Sequence, residues 1–111
     1  MNSKLSLAYM KFLSNVANAP SQLITLGPWE ERMLNHLAST WHAGGKLTVS
    51  EAIHATPSMS PSTSHKYLTV LRKKGLINLV VDPIDNRIKY IVHTNLTDKY
   101  FSHLGQCLAK Q

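Results

Sequence analysis

The strongest constraint in this chain is a doubled helix start. Thr48-Val49-Ser50-Glu51 has the capping-box pattern, in which a threonine hydroxyl and a carboxylate three residues on satisfy orphan amides of a first turn. Ser60-Pro61 repeats the signal in another form, a hydroxyl N-cap followed by proline at the first helical position. Between them, Thr56-Pro57-Ser58-Met59 cannot continue a helix, because Pro57 lacks an amide proton and pushes Thr56 out of the helical region. A short helix therefore ends near Ala55, and a second runs from Pro61 to Lys74, where Gly75 offers a left-handed stop. The segment reads as helix, tight turn, helix.

The flanks are punctuated as clearly. Upstream, Leu5, Ala8, Tyr9, Phe12 and Val16 recur at helical spacing and predict an amphipathic helix over residues 3–18, ending near Ala19-Pro20. Gly27-Pro28 then starts a helix that runs to about His42 and stops at Gly44-Gly45, with Glu30 and Glu31 at the positive end of its dipole. Its apolar face is Trp29, Met33, Leu34, Leu37, Ala38 and Trp41. Downstream, Leu76–Asp82 and Arg87–Thr94 are rich in Ile, Val, Leu and Tyr, and Pro83-Ile84-Asp85-Asn86 between them supplies turn chemistry for a two-stranded hairpin. Thr97 is expected to cap a last helix, Asp98 to about Ala109, with Tyr100, Phe101, Leu104, Cys107 and Leu108 on one face. The fold is mainly α with a small β-hairpin, in the order α-α-α-α-β-β-α.

With 111 residues the chain can bury about two-thirds of its unfolded surface, enough for one modest core. A single cysteine, Cys107, allows no internal disulfide and reads as a small core hydrophobe in a reducing, cytoplasmic protein. The longest nearly apolar run, Leu76 to Val81, is far shorter than the ~20 residues of a membrane span, so no membrane partner is expected. Lys4, the apolar Leu5–Met10 and Ala17-Asn18-Ala19 imitate a secretory leader, but Lys11 interrupts the apolar stretch, and an amphipathic helix explains the same residues better. The six histidines place no pair at i, i+3 or i+4 and have no cysteine or carboxylate cluster beside them, so no metal site is expected. No nucleophile triad, P-loop or dinucleotide fingerprint is present, which argues against an enzyme and against a cofactor.

Charge supplies the functional signal. Lys and Arg outnumber Asp and Glu by 12 to 6, giving a net charge of +6 that calls for an anionic partner. The excess has a location: Lys66, Arg72, Lys73, Lys74, Arg87 and Lys89 face only Asp82 and Asp85 over the same stretch. On a 100° wheel of the Ser60–Lys74 helix, with the core direction set by Leu68 and Leu71, the opposite face holds Ser62, Lys66, Thr69 and Lys73, with Thr63, His65 and Arg72 toward its edges. All are hydrogen-bond donors. A duplex major groove admits one such helix and offers acceptors on its base edges and phosphates at its rims. In the hairpin, Arg87 and Lys89 alternate with Ile88 and Tyr90, which places both cations on one face near the tip.

The strings Leu47-Thr48-Val49-Ser50-Glu51-Ala52, Ser60-Pro61-Ser62-Thr63 and Leu71-Arg72-Lys73-Lys74-Gly75-Leu76-Ile77 resemble the helix-turn-helix of bacterial MarR-type winged-helix regulators. Asp82-Pro83-Ile84-Asp85-Asn86-Arg87 resembles that family's wing, and Leu96-Thr97-Asp98-Lys99 the cap of the helix after it. The resemblance covers residues 47–99 and implies a winged helix-turn-helix over 27–97, an N-terminal helix and linker over 1–26 that serves as a dimerisation arm, and a C-terminal helix over 98–111. It implies a sequence-specific double-stranded DNA-binding transcriptional regulator acting as a homodimer through its terminal helices. Ser62, Thr63, His65 and Lys66 would then lie in the major groove and Arg87 would be the wing-tip arginine. The full set expected at DNA is Ser60, Ser62, Thr63, His65, Lys66, Thr69, Lys73, Arg87 and Lys89.

Three positions depart from the family pattern. Ser64 stands where an aliphatic core residue is preferred, Asn86 where a second wing cation is frequent, and Tyr100 where glycine is common. A rival reading keeps the same fold but makes it a protein-protein interaction module that binds no DNA, using the hairpin or the aromatic terminal helices. Scattered rather than contiguous cations would favour that rival. A small-molecule effector, its identity left open, would sit between the Trp29/Trp41 helix and the terminal helices.

Overall fold

The elements follow one another in the expected order in a computed structural model that describes residues 3–18, 24–55 and 58–109. They are α1 (Ser3–Ala17), α2 (Pro28–His42), α3 (Val49–Ala55), α4 (Pro61–Lys73), β1 (Ile77–Val81), β2 (Lys89–His93) and α5 (Asn95–Ala109). The Ala19-Pro20 stop and the Thr56-Pro57 break lie outside the described residues. Ser58, just beyond that break, holds a left-handed φ of 66°, a conformation few side-chain-bearing residues adopt.

Local chemistry sets the helix ends. At α3 both halves of the capping box form: the Glu51 amide donates to Thr48 Oγ1 at 3.1 Å and the Thr48 amide to Glu51 Oε1 at 3.2 Å. At α2 the cap is Gly27, which has no side chain, so only the return half forms, its amide donating to Glu30 Oε2 at 2.8 Å. Ser60 caps α4 by accepting from the Thr63 amide at 3.3 Å, with Pro61 in the first turn. The helix closes on Gly75 at φ 80°, where the amides of Gly75 and Leu76 donate to the carbonyls of Arg72 and Leu71, both at 3.0 Å. That is the paired-bond C-terminus that needs a left-handed residue.

The strands, the start of the last helix and one tryptophan differ from the sequence expectation. The strands are shorter because Asp82 and Arg87 belong to the turn: the Asp82 carboxylate accepts the amides of Ile84 and Asp85, and the Arg87 amide donates to Asp85 Oδ1. The last helix starts at Asn95 rather than Asp98, because Thr94 and not Thr97 is its cap, accepting from the Thr97 amide at 3.3 Å. Thr97 is fully buried instead, and its hydroxyl donates to the Leu76 carbonyl. Trp29, expected on the apolar face of α2, is 43% exposed with the Arg32 guanidinium 5.3 Å from its ring, while Trp41 is half-buried.

The chain divides into two compact units, Leu26–Thr97 and the pair Met1–Thr25 with Asp98–Gln111. In the first, α4 packs against α2, α3 and β1, and α3 against β2. The fully buried side chains Met33, Leu34, Leu37, Leu71 and Leu76 fill its interior. β1 and β2 pair antiparallel from Ile77 opposite His93 to Val81 opposite Lys89. The hairpin is tied to the start of α3, since the Ile91 amide donates to the Leu47 carbonyl at 2.8 Å and Thr48 bridges to Tyr90.

In the second unit, Asn15 Nδ2 donates to the Cys107 carbonyl at 2.9 Å and Cys107 is buried. The sheltered side of α1 is Ala8, Phe12, Asn15 and Val16. Leu5 and Tyr9, expected on the covered stripe, are 68% and 62% exposed. The sheltered stripe is thus shifted toward Asn15, whose amide has a carbonyl to bond. No described helix is long and apolar enough to cross a membrane.

Candidate nucleic-acid interface

Helix α4 separates its sides as its wheel requires. Ser64, Leu68 and Leu71 are buried, and Ser62, His65, Lys66, Arg72 and Lys73 are exposed. Thr63 and Thr69 are half-buried. At the N-terminus three hydroxyls form one cluster, Ser60 Oγ lying 2.9 Å from Thr63 Oγ1 and 3.3 Å from Ser62 Oγ. Thr69 is partly committed to its own helix, its hydroxyl donating to the His65 carbonyl at 3.0 Å. Among the described residues no carboxylate pairs with Lys66, Arg72 or Lys73. The Lys66 ammonium lies 5.7 Å from the Tyr67 ring centre.

Lys74 is not part of that free set. Its ammonium sits 2.6 Å from Glu30 Oε2, joining the end of α4 to the start of α2. That contact, followed by the Gly27 amide, holds the Glu30 carboxyl below the usual carboxylate range. The basic surface read from sequence thus loses one of its six cations to the body of the domain.

The wing is organised by two aspartates. Asp82 Oδ1 accepts from the amides of Ile84 and Asp85 at 2.8 and 3.0 Å, and Oδ2 accepts from the Tyr90 hydroxyl at 3.0 Å. These bonds, the Asp85 amide first, hold the Asp82 carboxyl below its ordinary range, and the same carboxylate pushes the Tyr90 phenol up. Asp85 receives Arg87 in a two-point grip, Nε to Oδ1 and Nη2 to Oδ2, each at 3.0 Å. The guanidinium keeps the Asp85 carboxyl low and is itself strengthened as a cation. Arg87, expected as the wing-tip arginine, therefore carries a counter-charge while its side chain stays 90% exposed.

Two concavities connect these parts. One, of about 460 Å³, lies between α3 and the wing, lined by Val49, Ser50 and His54 on one side and Arg87, Ile88 and Lys89 on the other. The second, of about 160 Å³, has His65, Thr69 and Arg72 of α4 facing Leu79 and Ile91 of the hairpin. Val49 lines both. Three of the α4 donors, His65, Thr69 and Arg72, and the two wing cations consequently border hollows that share one side chain.

Sequence reasoning missed Asp82, Asp85 and Tyr90. The Asp85-x-Arg87 spacing carries a local signal for the ion pair, whereas the Tyr90–Asp82 bond joins opposite sides of the hairpin and leaves none.

No family model matches the chain, and no curated protein matches it. Solved structures do. A probable transcriptional regulator from Pseudomonas aeruginosa is 23% identical with a TM-score of 0.59, the match covering 96% of this chain and 81% of that one. A MepR variant from a multidrug-resistant S. aureus clinical isolate is 21% identical at TM-score 0.65, over 99% and 77% of the two chains. The heme sensor protein PefR of Streptococcus agalactiae, solved with heme, is 18% identical at 0.63, over 97% and 71%. The fold these neighbours share with this chain is the winged helix expected from the resemblance.

Proposed function

We propose that this winged-helix chain is a MarR-like transcriptional regulator, a cytoplasmic homodimer that binds specific double-stranded DNA. Helix α4 enters the major groove, where Ser62, Thr63, His65 and Lys66 meet base edges, and Ser60, Thr69 and Lys73 lie along its course. The wing, residues 82–89, follows the flanking backbone or minor groove with Arg87 and Lys89. The observation that carries this reading is the exposed donor face of α4, whose Lys66, Arg72 and Lys73 have no described carboxylate partner and whose His65, Thr69 and Arg72 line a hollow that shares Val49 with the one holding Arg87 and Lys89. The protein-binding rival would draw support from scattered charge, whereas Arg72 of α4 and Arg87 and Lys89 of the wing line hollows that share Val49. Nothing in the site suggests a catalytic step, and any effector is left unspecified.

The dimer reading is supported by α1, whose Leu5, Tyr9 and Leu13 form an i, i+4, i+8 row, each between 46% and 68% exposed, with Leu108 of α5 60% exposed as well. A second copy is the natural cover for such a row in a chain whose operator would be two-fold symmetric. Sedimentation with a labelled duplex tests it. Two chains per duplex, and a monomer from Leu13→Glu, are expected; a monomeric wild type bound one chain per duplex contradicts the dimer.

A further inference from the structure

We infer that Ile84, at the tip of the wing, is an apolar wedge that enters the minor groove and makes the protein select easily deformed base steps there. This deepens the DNA-binding reading above and rests on it.

The observation is an isoleucine 94% exposed on a turn whose backbone is tied by hydrogen bonds. No other exposed large apolar residue described exceeds 68%. Its own amide donates to Asp82 Oδ1 at 2.8 Å, and the next residue's amide donates to the same oxygen. Proline precedes it and fixes the local φ. Below the tip, the Asp82 amide donates to the Ile88 carbonyl at 2.9 Å and the Ile88 amide to the Asp85 carbonyl at 3.0 Å. Asp82 is braced from the side by Tyr90, and Asp85 by Arg87. A mobile loop would let an isoleucine fold back onto apolar neighbours, but this one is held out in water by at least five hydrogen bonds.

Two physical points make the minor groove its fitting occupant. A β-branched side chain on a fixed backbone has little rotamer freedom left to lose on insertion. Apolar side chains that enter between base steps unstack them and bend the duplex, and pyrimidine–purine steps yield most readily. The guanidinium of Arg87 lies within three residues on the same turn, so the tip pairs an apolar wedge with a cation for the adjacent phosphates. Specificity at the wing would then come from duplex deformability, and specificity at α4 from base contacts.

The test is selection from a random duplex pool by wild type and by Ile84→Ala, followed by fluorescence energy transfer between the ends of the selected duplexes. Wild type should enrich TpA or CpA steps under the wing and shorten the end-to-end distance. Ile84→Ala should lose that enrichment and the bend, weaken binding about ten-fold and leave the salt dependence unchanged. Ile84→Leu should retain most of both properties. If Ile84→Ala binds DNA with the wild-type bend and the wild-type step preference, the wedge is refuted while DNA binding stands. If wild type binds no duplex at all, the DNA reading falls and the wedge with it.

Discussion

Asp85 holds Arg87 by two parallel hydrogen bonds of 3.0 Å, so the wing's outermost cation carries its own counter-ion in the free protein. A duplex phosphate must compete with that carboxylate or accept it nearby. Asp85→Asn should therefore raise affinity for duplexes of any sequence several-fold and steepen the salt dependence, while Arg87→Ala should lower both. The double variant should bind better than Arg87→Ala alone, because it leaves no unpaired aspartate facing phosphate. An Asp85→Asn affinity equal to that of wild type would show that the pair is uncoupled from DNA.

Asp82 is the residue on which the shape of the wing depends. Asp82→Ala removes the acceptor for two amides and for the Tyr90 hydroxyl, and the Ile84 and Asp85 amides should then exchange with solvent about ten-fold faster or more. Exchange at Leu34 and Leu37, buried in α2, should stay unchanged. Uniform acceleration would mean that the substitution unfolds the domain rather than the tip.

Ser64 is fully buried and its hydroxyl has no hydrogen-bond partner among the described residues. Ser64→Ala should stabilise the chain by about 1–2 kcal/mol, from relief of the unmet hydroxyl and a better helix propensity. Urea unfolding measures it, and a loss of stability would reveal a partner for that oxygen.

Glu30 links α2 to α4 through Lys74, and its carboxyl is held low by that contact. A carboxyl more acidic in the folded state stabilises the fold above the ordinary carboxylate pKa, and the contribution disappears as pH falls through the folded value. The urea midpoint of wild type should thus exceed that of Glu30→Gln at pH 7, and the gap should narrow as pH falls below the ordinary carboxylate value of about 4.3. A gap that does not narrow as pH falls would point to packing and not to charge.

Much of this arrangement is legible from residue order because its causes are local. Thr48 and Glu51, or Ser60 and Pro61, meet within a single turn, so reading them in sequence amounts to reading their contact. The start of α5 misleads because Thr94 and Thr97 both offer a capping hydroxyl. What decides is that Thr97 is buried and reaches the Leu76 carbonyl, a partner 21 residues away. Likewise Asn15 looks like a surface residue of α1 until the Cys107 carbonyl, 92 residues on, draws it inward. On the candidate interface, the exposed α4 donors follow from helical period alone. The loss of Lys74 to Glu30 depends on two elements meeting, and no period contains that information.

The most direct measurement is the affinity of the chain for a selected and a random duplex at two salt concentrations, for wild type, Lys66→Ala and Lys73→Ala. Wild-type affinity should fall steeply with salt and favour the selected duplex. Lys66→Ala should shrink that preference about ten-fold, and Lys73→Ala should weaken both duplexes equally and flatten the salt slope by about one per lost phosphate contact. Affinity indifferent to salt, or a wild type that cannot tell the two duplexes apart, would contradict α4 as a reader of DNA sequence.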